Sequence, residues 1–151
     1  MKVPVMFSAT LSLRQNLLIQ IGQSFDTDFL KAVKSVVKSI KTNNTLFFAG
    51  NGGSAAEAQH MSAEYLATLD HRNFRPGIKA LALTVDTSFI TAWTNDFGYE
   101  DVYLRQLRTL ATKGDVFFAY STSGQSQNII RAVEYAKKNA IYTIGFTGND
   151  G

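Results

Sequence analysis

Two short loops in this sequence carry more hydrogen-bonding groups than a turn requires. Ser121-Thr122-Ser123-Gly124-Gln125-Ser126 packs four hydroxyls around one glycine, just ahead of a helical stretch. Hydroxyls and the unpaired N–H groups of a helix start can together meet the oxygens of a phosphate. A capping turn needs only one such hydroxyl. Gly50-Asn51-Gly52-Gly53-Ser54 also runs straight into a helical stretch. Its glycines allow positive φ and close backbone approach, which suits an anion or a polyol, although an ordinary tight turn has the same composition. No Gly-Lys-Ser/Thr follows, so this is not a Walker loop.

On the stretch after the glycine loop, His60 and Glu64 are four residues apart and share one helix face, with Glu57 nearly on it. Imidazole and carboxylate suit zinc or a similar divalent ion, but a catalytic zinc normally takes three protein groups, and an exposed helical ion pair has the same spacing. Thr94-Asn95-Asp96-Phe97-Gly98 is the other polar interruption. It reads either as a turn closed by an αL glycine or as a place that recognises sugar hydroxyls, and spacing does not decide between them.

The elements that must hold these groups follow from the apolar pattern. Residues 8–25 and 29–40 carry apolar side chains at spacings of three and four: Leu11, Leu17, Leu18 and Ile21, then Leu30, Val33, Val37 and Ile40. Two helices are predicted there, with Asp26 as N-cap of the second and Asn43-Asn44 as the turn after it. Short apolar runs at 46–49, 80–83, 116–119 and 142–146 then alternate with helical stretches near 55–66, 100–112 and 127–138. Continuous rather than alternating hydrophobicity predicts strands buried on both faces, and hence a parallel sheet with right-handed crossovers and helices on both sides. In such a sheet ligands bind beyond the carboxyl ends of the strands, where both small-residue loops fall.

Of 151 residues 45% are hydrophobic and 18% charged, as expected of one compact soluble domain. There is no cysteine, which removes disulfides, thiolate metal sites and cysteine nucleophiles and suits a reducing cytosol. No run approaches the roughly 18 consecutive apolar residues of a membrane span, so a cytoplasmic protein without a membrane partner is expected. The net charge of +3 comes from scattered cations, and Lys31, Lys34, Lys38 and Lys41 recur at helical spacing as a solvated face rather than a nucleic-acid footprint.

In order, Gly50-Asn51-Gly52-Gly53-Ser54, His60 and Glu64, Asn95-Asp96-Phe97-Gly98, Ser121 to Ser126 and Thr147-Gly148-Asn149-Asp150-Gly151 resemble the phosphoheptose isomerases, sedoheptulose 7-phosphate isomerases of the SIS fold. The resemblance implies a three-layer α/β sandwich over residues 1–151, a parallel sheet with helices on both faces, preceded by a helical extension at 8–42. It implies that Ser121, Thr122, Ser123 and Ser126 hold the phosphate while Asn51, Gly52, Gly53, Ser54, Asn95 and Asp96 line the sugar. His60 and Glu64 are then ligands of one zinc per subunit, with Glu64 also the substrate-contacting base of an enediolate proton transfer. A homotetramer with sites at subunit contacts, serving heptose supply for lipopolysaccharide, is implied as well.

The sequence departs from the family twice. Relatives continue past the closing motif with a strand and a helix that bring a glutamine and a histidine to the zinc. The residues to Gly151 are therefore expected to be part of a longer polypeptide or an inactive fragment held by oligomer contacts. After Glu64 the family's Gly-Arg is replaced by Ala67-Thr68, and Leu69, Asp70 and His71 form a short insertion before Arg72 and Arg75, with Arg72 the candidate substitute. Two other classes remain open: a noncatalytic SIS protein that binds the bacterial replication initiator, and a sugar-phosphate-sensing SIS module. Glu64 and Gly53 favour the enzyme over the first.

Overall fold

Leu46–Gly50 and Val116–Ser121 are unbroken runs of buried residues, the mark of strands covered on both faces. The computed structural model describes residues 3–24, 26–68 and 70–148, and in it these runs are the central neighbours of a four-stranded parallel sheet. In chain order the elements are α1 (Val3–Ser24), α2 (Asp26–Lys41), β1 (Leu46–Gly50), α3 (Gly53–Leu66), β2 (Ala80–Ala82), α4 (Thr87–Phe97), α5 (Val102–Leu110), β3 (Val116–Ser121), α6 (Gln127–Lys138) and β4 (Tyr142–Thr147). The sheet order is β2-β1-β3-β4. The backbone divides into two units, residues 1–34 and 35–151, with the boundary inside α2.

Alternate side chains of the strands feed two cores. Phe47, Ala49, Phe117 and Ala119 pack with Val102, Tyr103 and Leu107 of α5 and Ile129, Ala132 and Ala136 of α6. Leu46, Phe48, Val116, Phe118 and Tyr120 pack on the other face with Ala58, Met61 and Tyr65 of α3 and with Val36 and Ile40 of α2. Phe48 and Phe118 stack there with centroids 4.6 Å apart. Full burial of each such side chain contributes about 1.5–3 kcal/mol, so the two strands carrying four of the largest ones anchor the sheet.

Several expectations are corrected. Asp26 opens α2 instead of preceding it. Residues 94–97 are the last turn of an additional helix, α4, and only Gly98, at φ 89°, leaves it. Asp86 precedes that helix as its N-cap, its carboxylate accepting the Phe89 N–H at 2.9 Å. β4 pairs only with β3, and its Tyr142 and Phe146 are exposed, so it is not buried on both faces. In α1, Leu11, Leu17 and Leu18 are more than half exposed, as is Leu30 in α2.

A buried carboxylate ties the two central strands together at their start. Asp115, 2% exposed, accepts the Thr45 N–H at 2.8 Å through one oxygen and the Thr112 N–H at 2.6 Å through the other. Removing it strands two partly buried donors, each costing about 1–3 kcal/mol. Asp115→Ala is therefore expected to lower the unfolding free energy by about 2–4 kcal/mol in urea titration, and Asp115→Asn by less. An unchanged midpoint in the alanine variant would contradict this role.

Candidate functional site

Parallel pairing sets Gly50 opposite Tyr120, so β1 and β3 end at the same level. β2 lies on the far side of β1 and β4 on the far side of β3, which makes the gap between the central strands the point where the strand order reverses. The two small-residue loops emerge there side by side. Gly50 has no alternative at its position, since a Cβ would stand 2.6 Å from the Ser54 backbone oxygen at the start of α3. Gly52 at φ 57° and Gly124 at φ 65° take left-handed conformations that bend each chain into its helix.

Between the loops lies a cavity of about 170 Å³ lined by Asn51, Ser54, Tyr120, Ser121, Thr122, Ser123 and Ser126. Ser126 is the N-cap of α6 but makes no capping bond with its side chain; its Oγ is 3.3 Å from Ser121 Oγ instead. Ser123 Oγ accepts the Gln125 N–H at 3.2 Å. The Gly148 N–H donates to the Thr122 carbonyl at 3.0 Å and backs the loop, while Asn149, Asp150 and Gly151 lie outside the described residues. Hydroxyls and a helix start thus face an open space without a lysine or arginine, an arrangement suited to an anion bound by dipoles.

A second cavity of about 240 Å³ adjoins it, sharing Asn51 and Ser126 and adding Tyr99, Glu100, Gln127 and Asn128. Sequence reasoning missed Tyr99, Tyr103 and Asn128. Asn51 and Asn128 exchange carboxamide bonds of 3.0 and 2.9 Å, and Tyr99 donates to Asn51 Oδ1 at 2.9 Å. The Tyr103 hydroxyl donates to the Gly50 carbonyl at 2.6 Å. One signal was available: Asn128 is polar at a helix position followed by the apolar Ile129 and Ile130 and spaced four from Ala132 on the core face.

His60 and Glu64 do meet, Nε2 to Oε1 at 3.9 Å, with the histidine largely exposed and the carboxylate half-buried. Neither lines the two cavities. Asn95 and Asp96 bond to each other at 2.8 Å on the exposed end of α4 and do not line them either. Arg75 closes α3, donating to the Glu64 carbonyl at 2.9 Å and the Tyr65 carbonyl at 3.0 Å. Arg72 instead forks onto Asp70 at 2.9 and 3.2 Å, and that guanidinium holds the Asp70 carboxyl below its usual range. Leu69 lies outside the described residues.

A family model described as the SIS domain matches residues 14–148. Phosphoheptose isomerase 2 of Campylobacter jejuni is 47% identical over 116 residues, 77% of this chain and 57% of that protein. The phosphoheptose isomerase of Aliarcobacter butzleri is 42% identical over 137 residues, 91% of this chain and 71% of that protein. This chain belongs to the SIS-domain phosphoheptose isomerase family. The structure of a phosphoheptose isomerase from Neisseria gonorrhoeae superposes with TM-score 0.89 at 32% identity, covering 99% of this chain and 77% of that one. One from Francisella tularensis gives 0.93 at 28%, with 100% and 78% covered. The chain spans less than two thirds of the length of several curated phosphoheptose isomerases it matches, 57% and 60% in two of them.

Three phenols are held protonated, Tyr103 and Tyr120 beside the loops and Tyr65 in the last turn of α3. Burial raises Tyr103 far above its ordinary value, with its bond to Tyr99 adding to the effect; burial, then the nearby Glu57 carboxylate, pushes Tyr120 up to about 12. Tyr65 is raised by burial against the opposing pull of Arg75. A raised folded value means the native state binds protons more tightly, so this stability is complete below about pH 10 and is lost as pH rises through 12. Phenolate absorbance should therefore show a late-titrating class of tyrosines that ionises together with unfolding, and Tyr120→Phe should move the alkaline midpoint upward. Titration of all tyrosines near pH 10 with the fold intact would contradict it.

Proposed function

We propose that this chain takes part in aldose–ketose isomerisation of a sugar phosphate, converting sedoheptulose 7-phosphate to D-glycero-D-manno-heptose 7-phosphate for bacterial surface polysaccharide. The observation that carries the reading is the hydroxyl loop and the glycine loop opening on one cavity at the strand-order reversal. Ser121, Thr122, Ser123 and Ser126 and the start of α6 bind the phosphate; Asn51, Gly52, Gly53 and Ser54 guide the sugar, while Asn95 and Asp96 lie outside both cavities.

Isomerisation moves a proton between adjacent carbons through an enediolate, which requires one base of suitable pKa. Glu64 takes that role, its carboxylate accepting the proton from one carbon and returning it to the next. His60 and Glu64 also suit zinc as an imidazole and a carboxylate on one face. Among the described residues no group of three or more His, Cys, Asp or Glu gathers for a metal. The metal, when bound, supplies Lewis-acid stabilisation of negative charge on the sugar oxygens.

Helix geometry adds a requirement. Glu64 is eleven residues beyond Gly53 on α3, roughly 16 Å along the axis at about 1.5 Å per residue. A sugar phosphate seated in one chain's loops is therefore served by Glu64 of another copy, and self-association through the exposed apolar side chains of α1 supplies that copy. A homotetramer fulfils this.

Glu64→Gln should abolish turnover of sedoheptulose 7-phosphate while leaving its calorimetric affinity within a few-fold, because the amide keeps its size but takes no proton. Ser121→Ala/Ser123→Ala should weaken that affinity about tenfold or more, which is 1.4 kcal/mol. Zinc content should fall in His60→Ala. Co-expressing the Glu64 and serine variants should restore part of the activity, since mixed oligomers contain intact composite sites. Near-native turnover in Glu64→Gln would remove Glu64 as the base, and failure to complement would remove the shared site.

A further inference from the structure

Asn51 stands in the ligand loop, yet its side chain is already engaged. Its Oδ1 accepts from Tyr99 Oη and Asn128 Nδ2, both at 2.9 Å, which fills both lone pairs, and the Tyr103 hydroxyl stands 3.3 Å from the same oxygen. Its Nδ2 gives one proton to Asn128 Oδ1 at 3.0 Å. Asn128 is 4% exposed, and its Oδ1 also accepts the Ile129 N–H at 3.0 Å, so its acceptor is filled as well. The orientation of both amides follows from this pattern, because turning Asn51 over would set two NH₂ groups against each other. Asn51 therefore retains one N–H donor and no acceptor for a ligand.

We propose that Asn128 is a positioning residue that, through the carboxamide of Asn51, fixes the glycine loop against the hydroxyl loop so that backbone donors near Gly52 and Gly53 meet the sugar portion of the bound sugar phosphate. The inference rests on the proposed function for the identity of that ligand. Asn128 follows Ser126 by two residues at the start of α6, and Asn51 follows the last residue of β1, so the pair spans the two loops directly. Tyr99 joins the same oxygen from the turn just beyond Gly98, bringing the end of α4 into one network. Anchored on the buried Asn128, the network ties both loops to α6 and holds the donors in place before the ligand arrives. The phosphate end stands on Ser121, Ser123 and Ser126, whose side-chain bonds run within the hydroxyl loop.

Two neutral substitutions separate these ends without adding charge near the anion. Asn128→Leu removes both bonds to Asn51 in a similar volume, and Tyr99→Phe removes one donor from a residue that is 42% exposed and so does not threaten folding. Calorimetry with sedoheptulose 7-phosphate and with inorganic phosphate is the measurement. The expected result is a loss of sugar-phosphate affinity of about tenfold in Asn128→Leu and about threefold in Tyr99→Phe, with inorganic phosphate changed less than twofold in both. Unchanged sugar-phosphate affinity in the folded variants, or equal loss of both ligands, overturns the proposal. If the wild-type chain binds sedoheptulose 7-phosphate no better than inorganic phosphate, the functional reading fails, and the positioning role is then judged by hydrogen exchange. Faster exchange at Gly52 and Gly53 in Tyr99→Phe, with β1 and β3 unchanged, supports it; unchanged exchange at the two glycines overturns it.

Discussion

The register between β1 and β3 is the constraint on which the rest of the structure depends. Leu46 through Gly50 pair in order with Val116 through Tyr120, so both strands deliver their loops at one level. Slipping by one residue would turn every side chain to the opposite face. Phe47 and Phe117 would leave the core they share with α5 and α6, and Phe48 and Phe118 would lose their stack. The position of the cavity is thus specified by four phenylalanines that never touch it. Asp115 protects the same register from the other end by bonding to the backbone that precedes β1.

Local chemistry at the cavity follows from what the strands leave there. Neither cavity is lined by a lysine or arginine, and the two arginines nearest in sequence to α3 are spent elsewhere, Arg75 on helix carbonyls and Arg72 on Asp70. Within this chain, positive potential at the cavity comes from hydroxyl dipoles and from the N-termini of α3 and α6. The phenols of Tyr103 and Tyr120 support this electrostatics by staying neutral, since burial raises the cost of their anionic form.

Much of this was legible in the sequence, and the exceptions have physical causes. Strands β1 and β3 and helix α6 stand out because burial on both faces demands unbroken apolar runs and the helix has one apolar stripe. Helix α4 was hidden because its last turn, Thr94 to Phe97, uses residues that also build turns, while Phe89, Ile90 and Trp93 are only partly buried. Asn128, Tyr99 and Tyr103 matter through bonds to residues roughly fifty to eighty positions away, 77 in the case of Asn51 and Asn128, and no local pattern announces such a bond. Serines 121, 123 and 126 were legible for the opposite reason: one short segment carries the whole cluster. The apolar spacing of α1 marks a helix, but periodicity does not say whether those side chains meet their own chain or another.

Helix α3 gathers these threads because its two ends do different work. Its N-terminus must lie against β1, and the missing Cβ of Gly50 allows that approach. Its C-terminus is fixed by Arg75 and by Gly77, where a Cβ would sit 2.8 Å from the Leu66 carbonyl, so Glu64 rests on backbone that is pinned from outside the helix. A rigid rod held at both ends cannot bring its last turn to its first, whatever the side chains do. The separation of binding loop from Glu64 is therefore a consequence of helix length, and in the proposed chemistry assembly becomes part of the active site, with each copy offering a cradle to one neighbour and a base to another.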